Sequence, residues 1–357
     1  LAEPKYQISW KTFALPLVGL VVFFLYIYIF NVDILEIIEE VGHANFYFYL
    51  LAAVVALFDT TFFTIAWHFL LRFLSVKISL FKSFLFVWVG IFVDTVIPAE
   101  SVSGEITKIY LVNREQNGAA GKAAASIVAQ RLIGMGINIA TLLAGAVILL
   151  TEGLLSGMML TLILFLIVIT FVFLFLILLL CVKENWTFRI VDAIISFGER
   201  VTRGHWKLDK LKEDVVEATA AFHVAVKEYV HAPKTLFFAS SFSLVSWMLA
   251  LVLFYLTFLS VGYFQISWGA ILVVSAIFIA VKSIPAGVPF EVGLPEITMT
   301  TLLIFFGVPP EVSATVTVLS RLLTLWMRFF IGFGAQQWMG IKAITTKSGS
   351  VVSSPQK

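Results

Sequence analysis

Long apolar runs set the terms for this chain. They cover 13–30, 46–71, 123–150, 154–182, 235–262, 268–281 and 329–340. A helix that crosses the hydrocarbon of a bilayer needs about 20 such residues. A 357-residue soluble domain cannot bury this many, and only 13% of the chain is charged, against about a quarter in soluble proteins. The expected fold class is an all-α polytopic membrane protein. A soluble enzyme, a secreted disulfide scaffold, a disordered chain and a nucleic-acid binder are excluded at the outset. A single cysteine, Cys181, forms no intramolecular disulfide.

Six stretches read as full spans: about 12–30, 46–71, 123–150, 154–182, 235–262 and 313–341. Two more, 83–112 and 268–307, are apolar but carry polar and turn-forming residues near their middles. The distribution of Lys and Arg gives the orientation. Segments 1–11, 72–82, 113–122, 183–234 and 342–357 hold 19 of the 24 bases. Segments 31–45, 151–153, 262–267 and 307–312 hold none, and carry Asp33, Glu36, Glu39, Glu40, Glu152 and Glu311 instead. This places both termini in the cytoplasm and the chain in the cytoplasmic (plasma) membrane. With six crossings, 83–112 and 268–307 must each leave the membrane on the side they entered, as re-entrant helical hairpins.

The two interrupted segments echo each other. Pro98-Ala-Glu-Ser-Val-Ser-Gly-Glu-Ile-Thr107 aligns with Pro289-Phe-Glu-Val-Gly-Leu-Pro-Glu-Ile-Thr298. Pro98 matches Pro289, Glu100 matches Glu291, and Glu105 matches Glu296. Downstream, Arg131 in Val-Ala-Gln-Arg-Leu-Ile matches Arg321 in Val-Leu-Ser-Arg-Leu-Leu. The charge map has the first copy entering from the cytoplasm and the second from outside, so the repeat, 83–150 and 268–341, is inverted in the membrane. Inverted repeats with broken helices place a substrate site near the midplane, and non-helical backbone at that depth implies a polar cavity. Ser103 suits the N-cap of a half-helix starting at Gly104-Glu105. Pro295 suits a first helical position, and Gly293 the turn before it. Both glutamates then lie at helix N-termini, where negative charge or a phosphate is favoured.

Outside the loops lie six acids, Asp59, Asp94, Glu100, Glu105, Glu291 and Glu296, and five bases, Lys108, Arg131, Lys282, Arg321 and Arg328. A charge at a helix centre costs roughly 2.5–3.5 kcal/mol even on insertion scales, so near-balanced signs argue for mutual neutralisation. Glu105–Arg131 and Glu296–Arg321 read either as locks or as pairs that open to an ionic substrate. Lys108, Glu100 and Glu291 join them as candidate substrate-binding groups. Asp59, His68, Asp94 and Lys282 are candidate proton-relay groups. Asp59 and His68 stand about 13 Å apart along one helix, too far to bond each other.

Segment 183–234 is the one sizeable polar stretch, with nine bases and eight acids. Leu208, Leu211, Val215, Ala218, Phe222, Val226 and Tyr229 recur at helical spacing, predicting a cytoplasmic amphipathic insert that lies on the membrane or packs under the bundle. His205, His223 and His231 lack metal-ligand spacing. No Walker loop, dinucleotide fingerprint, HExxH or GxSxG is present, so neither catalytic residues nor a cofactor or metal is expected.

At the two turn motifs the chain resembles the lysylphosphatidylglycerol synthase transmembrane-region family, also called the flippase-like domain family. Pro98, Gly104, Glu105, Lys108 and Arg131 occupy the places of its first motif, with Asp94 where Asn is usual and Gln130 where Glu is usual. Pro289, Gly293, Glu296 and Arg321 occupy those of the second, with Phe290-Glu291 in place of paired glycines. The resemblance is to a stand-alone member without the aminoacyl-transfer domain. It implies translocation of a phosphate-bearing, anionic or glycosylated lipid, phospholipid or polyprenyl-phosphate-linked, through a polar cavity between the two hairpins. Membrane lipids are the expected partners, nucleic acid is not, and a homo-oligomer is left open. An ion-coupled secondary transporter of a small solute is the alternative, and an intramembrane lipid-modifying enzyme comes third.

Overall fold

The computed structural model describes residues 42, 44–97, 102–155, 157–201, 209–282 and 293–352. Among them there is no strand. The helices run α1 Phe46–Phe73, α2 Leu80–Val96, α3 Val102–Glu115, α4 Ala120–Thr151, α5 Gly157–Val182, α6 Glu184–Val201, α7 Asp209–Val230, α8 Pro233–Ser260, α9 Trp268–Lys282, α10 Leu294–Phe305, α11 Pro310–Arg321 and α12 Arg328–Val352. A π-helical segment, Leu322–Met327, joins the last two. Five stretches are long and apolar enough to cross a membrane: Phe46–Phe73, Ala120–Thr151, Gly157–Val182, Pro233–Ser260 and Pro310–Gly340. The chain is an all-α polytopic membrane protein. The span expected at 12–30 lies outside the described residues.

Each interrupted segment contributes two short helices: α2 ends at Val96 and α3 begins at Val102, and α9 ends at Lys282 and α10 begins at Leu294.

The chain divides into two compact units. The first combines residues up to Ala56 with Trp88–Gly104 and Leu251 onwards. Within it α10 packs against both α9 and α11, and Ala52, Ala56, Leu253, Leu256 and Leu323 form a buried cluster. The second unit combines Leu57–Val87 with Glu105–Ala250. There α4 packs against α5 and α7. Trp67 Nε1 on α1 donates to Ser126 Oγ on α4 at 2.9 Å, and Gln130 Nε2 donates to the Phe63 carbonyl at 2.9 Å.

The polar insert is two helices rather than one. On α7 the stripe Val215, Ala218, Phe222 and Val226 is half-buried, and Thr219, His223, Ala225 and Tyr229 are buried. Tyr229 donates its hydroxyl to the Leu70 carbonyl at 2.8 Å. Burial, with the Glu228 charge adding to it, holds that phenol well above its ordinary pKa, so it stays a donor. His223 Nδ1 lies 3.1 Å from the Cys181 carbonyl. A carbonyl only accepts, so the proton is on Nδ1. The helix thus packs against the bundle through α4 and α5.

Candidate functional site

The two Glu–Arg pairs anticipated from the repeat both form, each within one unit. In the first unit, Glu296 occupies the first turn of α10 and Arg321 the last residue of α11. Arg321 Nε donates to Glu296 Oε1. The other carboxylate oxygen accepts the Gly293 backbone N–H at 2.6 Å, so Glu296 caps its own helix as well as holding the arginine. Gly293 adopts φ 110°, a conformation open to glycine and strained for other residues. Pro295 follows in the first turn, as expected of a helix start. The pair is sealed, with Glu296 2% and Arg321 4% exposed. The guanidinium lies 5.8 Å from the Phe278 ring centroid on α9. One turn along each helix, Thr300 donates to Thr317 at 3.0 Å, a second rung of the same antiparallel ladder.

In the second unit, Arg131 Nη1 on α4 lies 3.4 Å from Glu105 Oε2 on α3, and the two side chains are 37% and 23% exposed. The contact is long for a charge-assisted bond. Three residues on from Glu105, Lys108 is buried. Its ammonium stands 5.2 Å from the Trp67 ring and 5.8 Å from Phe63, within reach of a cation–π attraction. Trp67 and Gln130 are themselves held by the hydrogen bonds between α1 and α4, so the rings that face Lys108 are fixed.

The start of α3 is capped differently from that of α10. Asp94, in the last turn of α2, accepts the Gly104 backbone N–H at 2.6 Å and the Ser103 hydroxyl at 2.8 Å through one oxygen. Ser103, read from the sequence as the N-cap, sits inside the first turn and donates. A Cβ at Gly104 would run into the Asp94 carboxylate and the Gly90 carbonyl, so glycine is what lets the two helices approach.

Other anticipated residues are dispersed. Asp59 accepts the Ser246 hydroxyl from α8 at 2.5 Å, and His68 Nδ1 meets Ser83 Oγ of α2 at 2.9 Å. They have separate partners. Lys282 is the last residue of α9. Pro98, Glu100, Pro289 and Glu291 lie outside the described residues. Among the described residues no three His, Cys, Asp or Glu side chains group as metal ligands would. The sequence reading missed the aromatic partners Phe63, Trp67 and Phe278 and the capping role of Asp94. Phe63 and Trp67 are four residues apart on α1, so their shared face was readable, but nothing in the sequence assigned Lys108 to it.

Long apolar helices with ion pairs among them define the class: an integral membrane protein with ionisable groups built into its helices. The model of the family described as "Lysylphosphatidylglycerol synthase TM region" matches residues 16–332, and the chain belongs to that family. It is similar to a UPF0104 membrane protein of Pyrococcus horikoshii, 21% identical over 83% of this chain and 88% of the relative. It is also similar to a UPF0104 membrane protein of Methanothermobacter thermautotrophicus, 25% identical over 85% of this chain and 89% of the relative.

Proposed function

We propose that this protein translocates a phosphate-bearing lipid, phospholipid or polyprenyl-phosphate-linked, across the bilayer. Its polar headgroup follows a polar path lined by the residues of the broken helices while the hydrophobic tails stay in lipid. The observation that carries this reading is the Glu105–Arg131 pair. It is an arginine in a membrane-spanning helix, partly exposed and held by one long contact to a partly exposed carboxylate. An arginine fork matches two phosphate oxygens at once, and an intramembrane charge of this kind marks a substrate path by default. Glu105 occupies the guanidinium until a lipid phosphate replaces it, then takes it back on release. Lys108 adds positive potential nearby. Family membership and the apolar spans support a lipid as the substrate class. In this reading the segments 83–112 and 268–307 are re-entrant hairpins of an inverted repeat, and Glu296–Arg321, with both carboxylate oxygens engaged, holds the second of them in shape.

The test is reconstitution of the purified protein into liposomes that carry a trace of fluorescent anionic phospholipid or polyprenyl-phosphate-linked sugar. A membrane-impermeant reductant reports the fraction reaching the outer leaflet. The expected result is loss of inner-leaflet fluorescence faster than in empty liposomes, slowed in Arg131→Ala. Rates equal to empty liposomes for both lipid classes would overturn the proposal.

A further inference from the structure

The helix α6 takes no part in the pathway just described, yet its surface is organised. The apolar span α5 ends at Val182, and Lys183 alone separates it from Glu184, where α6 begins. The corner is fixed by hydrogen bonds. The Trp186 N–H donates to the Lys183 carbonyl at 2.9 Å, and the Thr187 hydroxyl reaches back to the Leu180 carbonyl at 2.8 Å. The helix therefore departs from the level at which a membrane span ends.

Its two sides differ. At 100° per residue, Glu184, Thr187, Phe188 and Val191 share one side, and all four are half-buried. This side meets α7: Phe188 lies against the His223 ring, and Glu184 pairs with Lys227 at 3.6 Å. On the flank, Asp192 pairs with Lys212 at 2.7 Å. The opposite side carries Trp186, Arg189, Ile190 and Ala193, all exposed, with Trp186 at 50% and Ile190 at 46%. Glu184 and Asp192 of α6 are thus matched by lysines of α7. Lys183 and Arg189 make no ion pair among the described residues.

A helix continuous with a span, with an outward tryptophan and isoleucine beside cations, has the make-up of an interfacial membrane helix. We infer that α6 lies in the membrane–water boundary, with Trp186, Ile190 and Ala193 sunk among the headgroups and Lys183 and Arg189 engaging anionic phospholipid. The occupant of this face is the bilayer surface that α5 leaves. The inference stands independently of the transport reading.

The experiment places a spin label at Asn185→Cys, Trp186→Cys, Ile190→Cys, Asp192→Cys or Ala193→Cys in the full chain with Cys181→Ala. The carriers are vesicles of phosphatidylcholine alone or mixed with phosphatidylglycerol. Labels at 186, 190 and 193 should collide with oxygen and be shielded from a water-soluble nickel chelate, and labels at 185 and 192 should do the reverse. The shielding should deepen with phosphatidylglycerol and lose that dependence in Arg189→Glu. Equal nickel access at all five positions would overturn the inference, because the face would then stand in water. Labels at 186, 190 and 193 closed to both reagents would also overturn it, because a protein surface would then cover the face. Indifference to phosphatidylglycerol would remove the anionic-headgroup assignment.

Discussion

The two Glu–Arg pairs occupy matching places in two similar stretches of sequence, and the protein treats them differently. Glu296–Arg321 is sealed, and its carboxylate is divided between an arginine and the start of its own helix. Glu105–Arg131 is half-open and loosely closed at 3.4 Å. The starts of the two short helices differ as well. At α10 the cap is Glu296 itself, turned back onto Gly293. At α3 the Gly104 N–H is capped by Asp94, sent from the preceding helix. The same letters are thus sealed in one copy and partly exposed in the other. The aspartate has no match in the second copy, where the alignment that pairs Pro98 with Pro289 puts Pro285.

Removing one arginine at a time separates the two pairs. Arg321→Met strands a buried carboxylate and should cost about 3–5 kcal/mol, read as thermal unfolding in detergent. Glu296→Gln combined with Arg321→Met should recover most of the loss. If Arg131→Met proved equally costly, the two pairs would be equivalent and the distinction would fail. Gly293→Ala comes next, about 1–3 kcal/mol, because its φ of 110° strains any side-chain-bearing residue. Asp94→Ala removes the cap of α3 and should cost about 0.5–2 kcal/mol. The smallest change in stability, within about 1 kcal/mol, is expected for Glu105→Gln, as for other partly exposed pairs. That variant should nonetheless alter the rate of lipid movement, since it removes the group competing for Arg131.

The class was legible because the apolar runs have the length of a bilayer crossing. Both pairs were legible because Glu105 and Arg131, like Glu296 and Arg321, are 26 and 25 residues apart in copies of one motif. Their unequal burial was not, because exposure is set by neighbours from other helices. Phe278 lies against Arg321, and among the described residues no such ring contact is seen at Arg131. Ser103 was the natural reading for a cap, since short hydroxyl side chains cap helices locally. Asp94 overrode it from nine residues away, a distance that local patterns do not reach. The polar insert read as one amphipathic helix because the stripe through Val215 and Tyr229 is regular. The second helix, α6, hid in the same segment because its apolar face follows directly on the span before it.

The central claim is that Arg131 handles the lipid phosphate while Arg321 holds structure. The measurement that meets it most directly is the translocation rate of a fluorescent anionic phospholipid in proteoliposomes, compared between the wild type and Arg131→Gln at equal amounts of folded protein. The account predicts that Arg131→Gln unfolds at nearly the wild-type temperature and moves the lipid at close to the rate of empty liposomes. A folded Arg131→Gln protein with wild-type translocation would contradict it.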